Sequence, residues 1–310
     1  MPAPDLTVVV PCYDQGHFLQ DAVDSFDRFA GPSAELVIVD DGSTAPETVA
    51  VLAAMAIGGR RVLRQPNAGL AAARNTGIAA ARGRHVLLLD ADNQLREGYV
   101  QEGVGRLDAD ERLAVVYGDA AFYGDRTGRW VVGEFDLKRL LRANYIDACA
   151  VVRKSALVSV GGYDGGMPIM GLEDWDLWLS LTEADWGFAY IADQLFDYRV
   201  CEGSMAAACR VPANRKRLYE YVVTKHMKLF AEQLPEMLGD YEERCTSAEQ
   251  QRDALRVNLA EARSELQAQG ERLNAAYGHL QEVHDAAVAA HDSLEASRAE
   301  VAKLSRAAQC

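Results

Sequence analysis

The chain has 310 residues, 49% hydrophobic and 25% charged, with a formal net charge of −14. That length allows one large domain or two smaller ones around a substantial core. The charge argues against a nucleic-acid partner and against a basic membrane-binding face.

No run approaches the roughly 18 apolar residues of a membrane span, and the amino-terminal Met-Pro-Ala-Pro-Asp lacks the pattern of a leader peptide. Six cysteines without C-x-x-C spacing indicate neither a zinc site nor a disulfide framework. A reducing cytoplasm is the expected compartment, with a peripheral place at the inner membrane face as the variant.

Leu6 to Val10 is a β-branched run stopped by Pro11, the pattern of a buried parallel strand, and 12–16 form the loop at its carboxyl end. Phe18, Leu19, Ala22, Val23, Phe26 and Phe29 recur at helical spacing until Gly31-Pro32. A second strand, Glu35 to Val39, ends in Asp40-Asp41-Gly42-Ser43; a helix over Pro46 to Ala56 and a short strand at Arg61 to Leu63 follow. Alternating strand and helix predicts a mostly parallel sheet with right-handed crossovers, whose ligands bind outside the carboxyl ends of the strands. Tyr13, Asp40, Asp41, Asp90 and Asp92 all fall there.

Asn67-Ala68-Gly69 turns into an alanine-rich helix whose small side chains allow close approach to the sheet. Arg74 lies in its first turns, where a guanidinium can meet an anionic ligand; a surface salt bridge is the other reading. Val86 to Leu89 then reads as a buried strand delivering Asp90 and Asp92. Side chains at i and i+2 share a face of a strand, so the two carboxylates meet one spot unless the chain turns between them. Paired carboxylates repel unless a cation sits near, and hard oxygen ligands suit Mg²⁺ or Mn²⁺ shared with a phosphate.

Val39-Asp40-Asp41-Gly42-Ser43, Asn67 to Asn75 and Leu89-Asp90-Ala91-Asp92-Asn93, followed by Gly161-Gly162-Tyr163-Asp164 and Gly171 to Trp178, stand in an order and spacing that resembles family 2 glycosyltransferases of the GT-A fold. The resemblance covers about residues 5 to 210. It implies a Rossmann-like, mostly parallel sheet with flanking helices, and a donor site for a nucleotide-diphosphate sugar. Carried over, the loop after the first strand, with Pro11 and Tyr13, and Asp41 hold the base, Tyr13 by stacking. Asp40 and Arg74 lie beside the nucleotide, Asp90 binds ribose, and Asp92 holds Mg²⁺ or Mn²⁺ on the diphosphate. Asp174, in the Glu173-Asp174 pair, is the general base on a sugar hydroxyl; a helix N-cap or first-turn acid is its structural alternative. Trp175 and Trp178 are expected either in the core or stacked on a sugar.

The second half is less regular. A helix at Gly98 to Leu107 and a strand at Leu113 to Tyr117 lead into Gly118 to Phe135, which reads as a β-ribbon with loops that contact the acceptor. Phe135 to Asn144 looks helical and Ala148 to Arg153 forms a short strand. The sequence departs from the family after Arg199, where the family often has a histidine two residues on and a serine three further; here they are Cys201 and Ser204. A histidine metal ligand is therefore missing from this region, and cysteine suits Mg²⁺ poorly.

Residues 214–239 read as a helical linker broken at Pro235, after a 1–213 catalytic domain. In the coiled-coil-like tail 240–310 a 3-4 spacing runs through 259, 262, 266, 269, 273, 276, 280 and on to 304, apolar at the first position and small or polar at the second. Gly270 and Gly278 weaken it. Self-association or a partner helix is one reading and a single solvated helix the other.

The expectation is thus a metal-dependent inverting glycosyltransferase. It takes a sugar, UDP-linked, to a hydroxyl on a glycan, lipid-linked or protein acceptor in surface or envelope glycan assembly. The alternative is a degenerate transferase domain acting as a scaffold through its tail. A nucleotidyltransferase would want a basic, Gly-rich loop after the first strand, and a dinucleotide oxidoreductase a G-x-G-x-x-G; neither is present.

Overall fold

Seven consecutive buried residues, Leu6–Cys12, make the central strand β1 of a computed structural model that describes residues 3–201, 209 and 211–307. The strand continues past Val10 through Pro11, although proline has no N–H to donate. β4 (His85–Leu88) pairs with β1 only as far as Val9, so the N–H that Pro11 lacks would face an edge already opened. Cys12 lies on the opposite, β2 side, where its carbonyl accepts the Asp41 N–H at 2.9 Å.

The sheet order is β3 (Arg61–Arg64), β2 (Ala34–Asp40), β1, β4, β8 (Val151–Arg153), β6 (Leu113–Gly124), β9 (Gly187–Val200) and β5 (Gln94–Leu95), with β7 (Gly128–Trp130) on β6. The first four strands are parallel, as repeated right-handed crossovers require. Beyond β4 the sheet is mixed: β8 is antiparallel to both neighbours, β9 is parallel to β6, and β5 is antiparallel to β9.

Both faces of the sheet are covered. α1 (Gly16–Phe29), α2 (Pro46–Ile57) and α4 (Tyr99–Ala109) pack Leu19, Leu52 and Leu107 into one cluster with Val8 and Val10. Val9 points to the other face, against α3 (Leu70–Ala80). A Cβ on Gly77 would stand 2.1 Å from a Val9 methyl, so α3 lies closer to the sheet than any larger residue permits. α5 (Leu137–Arg142), α6 (Lys154–Ser159) and α7 (Glu173–Glu183) complete the layer around β8.

The chain divides into two units, Met1–Pro235 and Glu236–Cys310. The stretch expected as a linker is, over α8 (Pro212–Lys225), a packed helix of the first unit. It buries Leu218 and Val222, and Lys225 bridges Asp164 and Asp176 at 2.6 and 2.8 Å. No break occurs at Pro235, which is carried inside α9 (Met227–Ala307). Among the described residues no helix is long and apolar enough to cross a membrane.

Candidate active site

The end of β4, the turn at Tyr163 and the start of α7 surround a single guanidinium. Arg74, in α3, is 3% exposed and donates to Asp90 at 2.8 Å, while its guanidinium lies 5.1 Å over the Tyr163 ring. Burial opposes its charge, and the adjacent Asp90 more than restores it. Asp174 and Asp147 lie within electrostatic reach of the same group. Two polar atoms here are buried without a hydrogen-bond partner: Arg74 Nε and Tyr163 Oη. Unpaired buried donors are costly, so a polar ligand entering this space gains by meeting them.

The D-x-D segment does not extend β4. Asn93 N–H donates to the Asp90 carbonyl at 3.0 Å, closing a turn over 90–93, so Asp90 and Asp92 are not strand neighbours on one face. Their charges still interact: burial first, and Asp90 second, push the Asp92 carboxyl up to about 6. Asp92 is held from behind through its carbonyl, which accepts from Tyr123 Oη and Arg199 Nε.

Asp92 is a half-buried anion beside a second acid, so a cation at its carboxylate would relieve the repulsion. Among the described residues no three acidic, histidine or cysteine side chains gather to cage a metal. The residues therefore fit Mg²⁺ or Mn²⁺ only as one carboxylate completed by oxygens of a bound ligand, the usual way such ions meet diphosphates. Cys201 follows β9 and joins no such cluster; Ser204 lies outside the described residues.

Asp174 is the second residue of α7. It accepts from Asn144 Nδ2 at 2.7 Å and from the Trp175 N–H at 2.9 Å. Burial lifts its carboxyl to about 7, with Arg74 opposing the rise and Glu173 adding to it. A carboxyl poised there exchanges protons readily at neutral pH. Trp175 and Trp178 are fully buried and donate their indole N–H groups to the Leu140 and Ile146 carbonyls, so both belong to the core.

A cleft of about 340 Å³ is lined by Pro11, Tyr13, Asp41, Gly69, Ala73 and Met170. Tyr13 is 47% exposed and offers its ring to this space. Asp41 ties down the cleft wall: its oxygens accept from the Ala68 and Gly69 N–H groups, both at 2.9 Å, and from Gln65 at 2.7 Å. Asp40 is not in the wall. It is buried beneath the turn, capping Ser43 N–H at 2.8 Å and pairing with Arg64 at 3.0 Å.

Sequence reading placed Pro11, Tyr13, Asp41, Asp90 and Asp92 at strand ends and Arg74 and Asp174 near helix starts; the structure sets Pro11, Tyr13 and Asp41 in the cleft wall and Asp90 and Asp174 within electrostatic reach of Arg74. Sequence reading passed over Asp14, Asn75 and Asp147. Asp14 adopts φ +52° and accepts from the Thr44 and Ala45 N–H groups, fixing the Tyr13 loop to the loop after β2. Burial, then Asp90, lifts the Asp147 carboxyl to about 7. Asp147 carries no motif around it, whereas Asn75 lay within one and was read only as part of the pattern.

A parallel half-sheet, a mixed second half and an acid-rich turn at their junction define a GT-A transferase fold. The solved structure of S. aureus TarS residues 1–349, in complex with UDP-GlcNAc, superposes with a TM-score of 0.58 at 15% identity, covering 73% of this chain and 66% of that one. The model of glycosyl transferase family 2 matches residues 7–161, and the chain belongs to that family. The O-antigen biosynthesis protein RfbC of Myxococcus xanthus is 32% identical over 67% of this chain and 16% of its own length. The succinoglycan biosynthesis protein ExoO of Rhizobium meliloti is 37% identical over 34% of this chain and 30% of its own. The chain thus spans less than a third of either relative.

Proposed function

We propose that this protein is a metal-dependent, inverting glycosyltransferase that moves a sugar from a UDP-linked donor to a hydroxyl acceptor in surface glycan assembly. The observation that carries this reading is the convergence of Asp92, Asp174 and Arg74 beside a cleft walled by Tyr13. Relatives named for O-antigen and succinoglycan biosynthesis support the acceptor class, and the UDP-GlcNAc held by TarS supports the donor class.

Tyr13 stacks on the base, and the loop pinned by Asp41 closes the cleft around it. Asp90, held by Arg74, faces the ribose. Asp92, together with donor diphosphate oxygens, would hold a divalent cation, which neutralises charge on the departing nucleoside diphosphate. Asp174 removes the acceptor hydroxyl proton as that oxygen attacks the anomeric carbon and the bond to the diphosphate breaks. Attack from the side opposite the leaving group inverts the anomeric centre.

Calorimetric titration with UDP, with and without Mn²⁺, on the wild type and Asp92→Ala tests the donor site. Binding that requires both the metal and Asp92 is expected. Equal, feeble binding in every condition would remove the UDP reading and leave the scaffold alternative. With a donor in hand, the anomeric configuration of the product, read by proton NMR, tests inversion.

A further inference from the structure

Among its described residues the second unit carries an exposed apolar seam. From 238 to 304 the 3-4 spacing holds, with Arg252, Gln269 and Ser297 as its polar positions. Leu238, Tyr241, Leu255, Leu259, Leu266, Leu273, Leu280, Val283, Leu294, Val301 and Leu304 all lie on it, each between 51% and 70% exposed. A 3.5-residue repeat keeps its seam aligned only with another helix wound around it, so the missing cover is helical. Helices of this kind draw most of their stability from packing rather than from propensity.

We infer that the cover is a second copy of this chain, bound antiparallel with its register centred near residue 271. In an antiparallel pair each first seam position faces a second seam position of the other helix. With that centre, Leu266 meets the partner's Ala276, Leu280 the partner's Ala262, Leu294 the partner's Ala248 and Leu255 the partner's Ala287. Four leucines meet alanines in this register and no alanine meets an alanine, while Leu259 with Val283, Tyr241 with Val301 and Leu238 with Leu304 close three layers with two large side chains, so no layer is left empty. A parallel pair would instead place Ala287 and Ala290 against themselves in consecutive layers and leave a gap there. Shifting the antiparallel register by one heptad sets Ala287 against Ala262 and opens an empty layer that the proposed register does not have.

The flanking charges agree. The same register sets Arg244 against the partner's Glu300 and Glu242 against the partner's Arg298, and the two-fold axis repeats both pairs at the other end. A parallel pair offers only Arg244 with Glu249. Arg272 meets its own copy at the centre, the one like-charged contact of the register, with the partner's Glu265 one heptad away. Eleven half-exposed large side chains from each copy, at roughly 60–100 Å² each, hide on the order of 1,500 Å². That exceeds the about 1,000 Å² at which interfaces become specific.

The test uses the full chain. Sedimentation equilibrium at low micromolar concentration should give twice the chain mass. Two variants, Arg272→Cys and Leu259→Cys, are then made in a Cys245→Ser, Cys310→Ser background and treated with a short bis-maleimide, with the unsubstituted background as the blank. Arg272→Cys brings its two sulfurs together across the antiparallel axis, whereas Leu259→Cys does so only in a parallel pair. A covalent dimer from Arg272→Cys alone is the expected result. A monomeric chain, a larger assembly, or linkage through Leu259→Cys instead would each overturn the inference, a monomer pointing to a different helix as the partner.

Discussion

Asn75 and Tyr163 are joined in both directions: the Asn75 amide donates to the Tyr163 carbonyl at 2.7 Å and its oxygen accepts the Tyr163 N–H at 2.8 Å. One side chain thereby replaces a missing β-partner for the Gly161-Gly162-Tyr163 turn and holds the tyrosine ring against Arg74. The fit is close enough to require glycine at 162, whose φ is +75° and where a Cβ would run into Asn75 Oδ1. Asn75→Ala therefore leaves two backbone groups unpaired. The expected loss is about 1–3 kcal/mol, measured by urea unfolding, together with reduced turnover.

Asp174 supplies a pH signature. With its folded carboxyl near 7, the base form needed for proton removal accumulates as pH rises, so kcat/KM should climb through about pH 7. Asp174→Asn should lower turnover by about 10²-fold or more while leaving UDP binding close to wild type. A pH-rate profile and calorimetry on the same variant check both halves.

The same residue should oppose stability. Its folded pKa lies above the unfolded value of 3.8, so between these values the folded state binds more protons than the unfolded state. Stability contributed by the protonated carboxyl is present at low pH and lost as pH rises toward 7. Asp174→Asn, which cannot ionise, should be more stable than wild type at pH 8, and the gap should close by pH 4. Thermal melts at the two pH values read this directly.

His226 behaves in the opposite sense. Burial disfavours its charge, yet hydrogen bonds to Asp176 at 3.0 Å and Glu183 at 2.8 Å raise its pKa overall. A raised histidine adds stability that is fully present below pH 6.5 and lost as pH passes its folded value. His226→Ala should cost about 1–3 kcal/mol at pH 6 and less at pH 9, by denaturant titration at each pH.

Tyr13 is the exposed ring of the cleft. Base stacking on an aromatic side chain is worth about 1–3 kcal/mol, so Tyr13→Ala should weaken UDP binding between roughly fivefold and 150-fold. Folding should be unaffected, since half of the ring already faces solvent. Calorimetry and a melting curve separate the two.

Much of this molecule is legible in the chain. β-branched runs ending in acid, such as Glu35 to Asp40, and the alanine-rich α3 give both periodicity and chemistry away, because local backbone preference and burial pattern agree there. β9 carries a weaker signal: only some positions of Gly187–Val200 are buried, so alternation is diluted, and its parallel pairing with β6 joins residues about 75 apart in sequence. Asp147 was invisible for a related reason. Its perturbation comes from burial first and Asp90 second, and both follow from the antiparallel insertion of β8 beside β4.

By itself the sequence determined the element order, the motif acids at the strand ends, the family and the heptad seam of the tail, all of which rest on local periodicity or short-range spacing. Tertiary structure alone decided that the D-x-D segment is a turn, that Asp40 works beneath the wall while Asp41 pins it, that both tryptophans are core, and that α8 belongs to the first unit. Those outcomes depend on hydrogen bonds and burial between residues distant in sequence, and such long-range pairing leaves no trace in the pattern of neighbours.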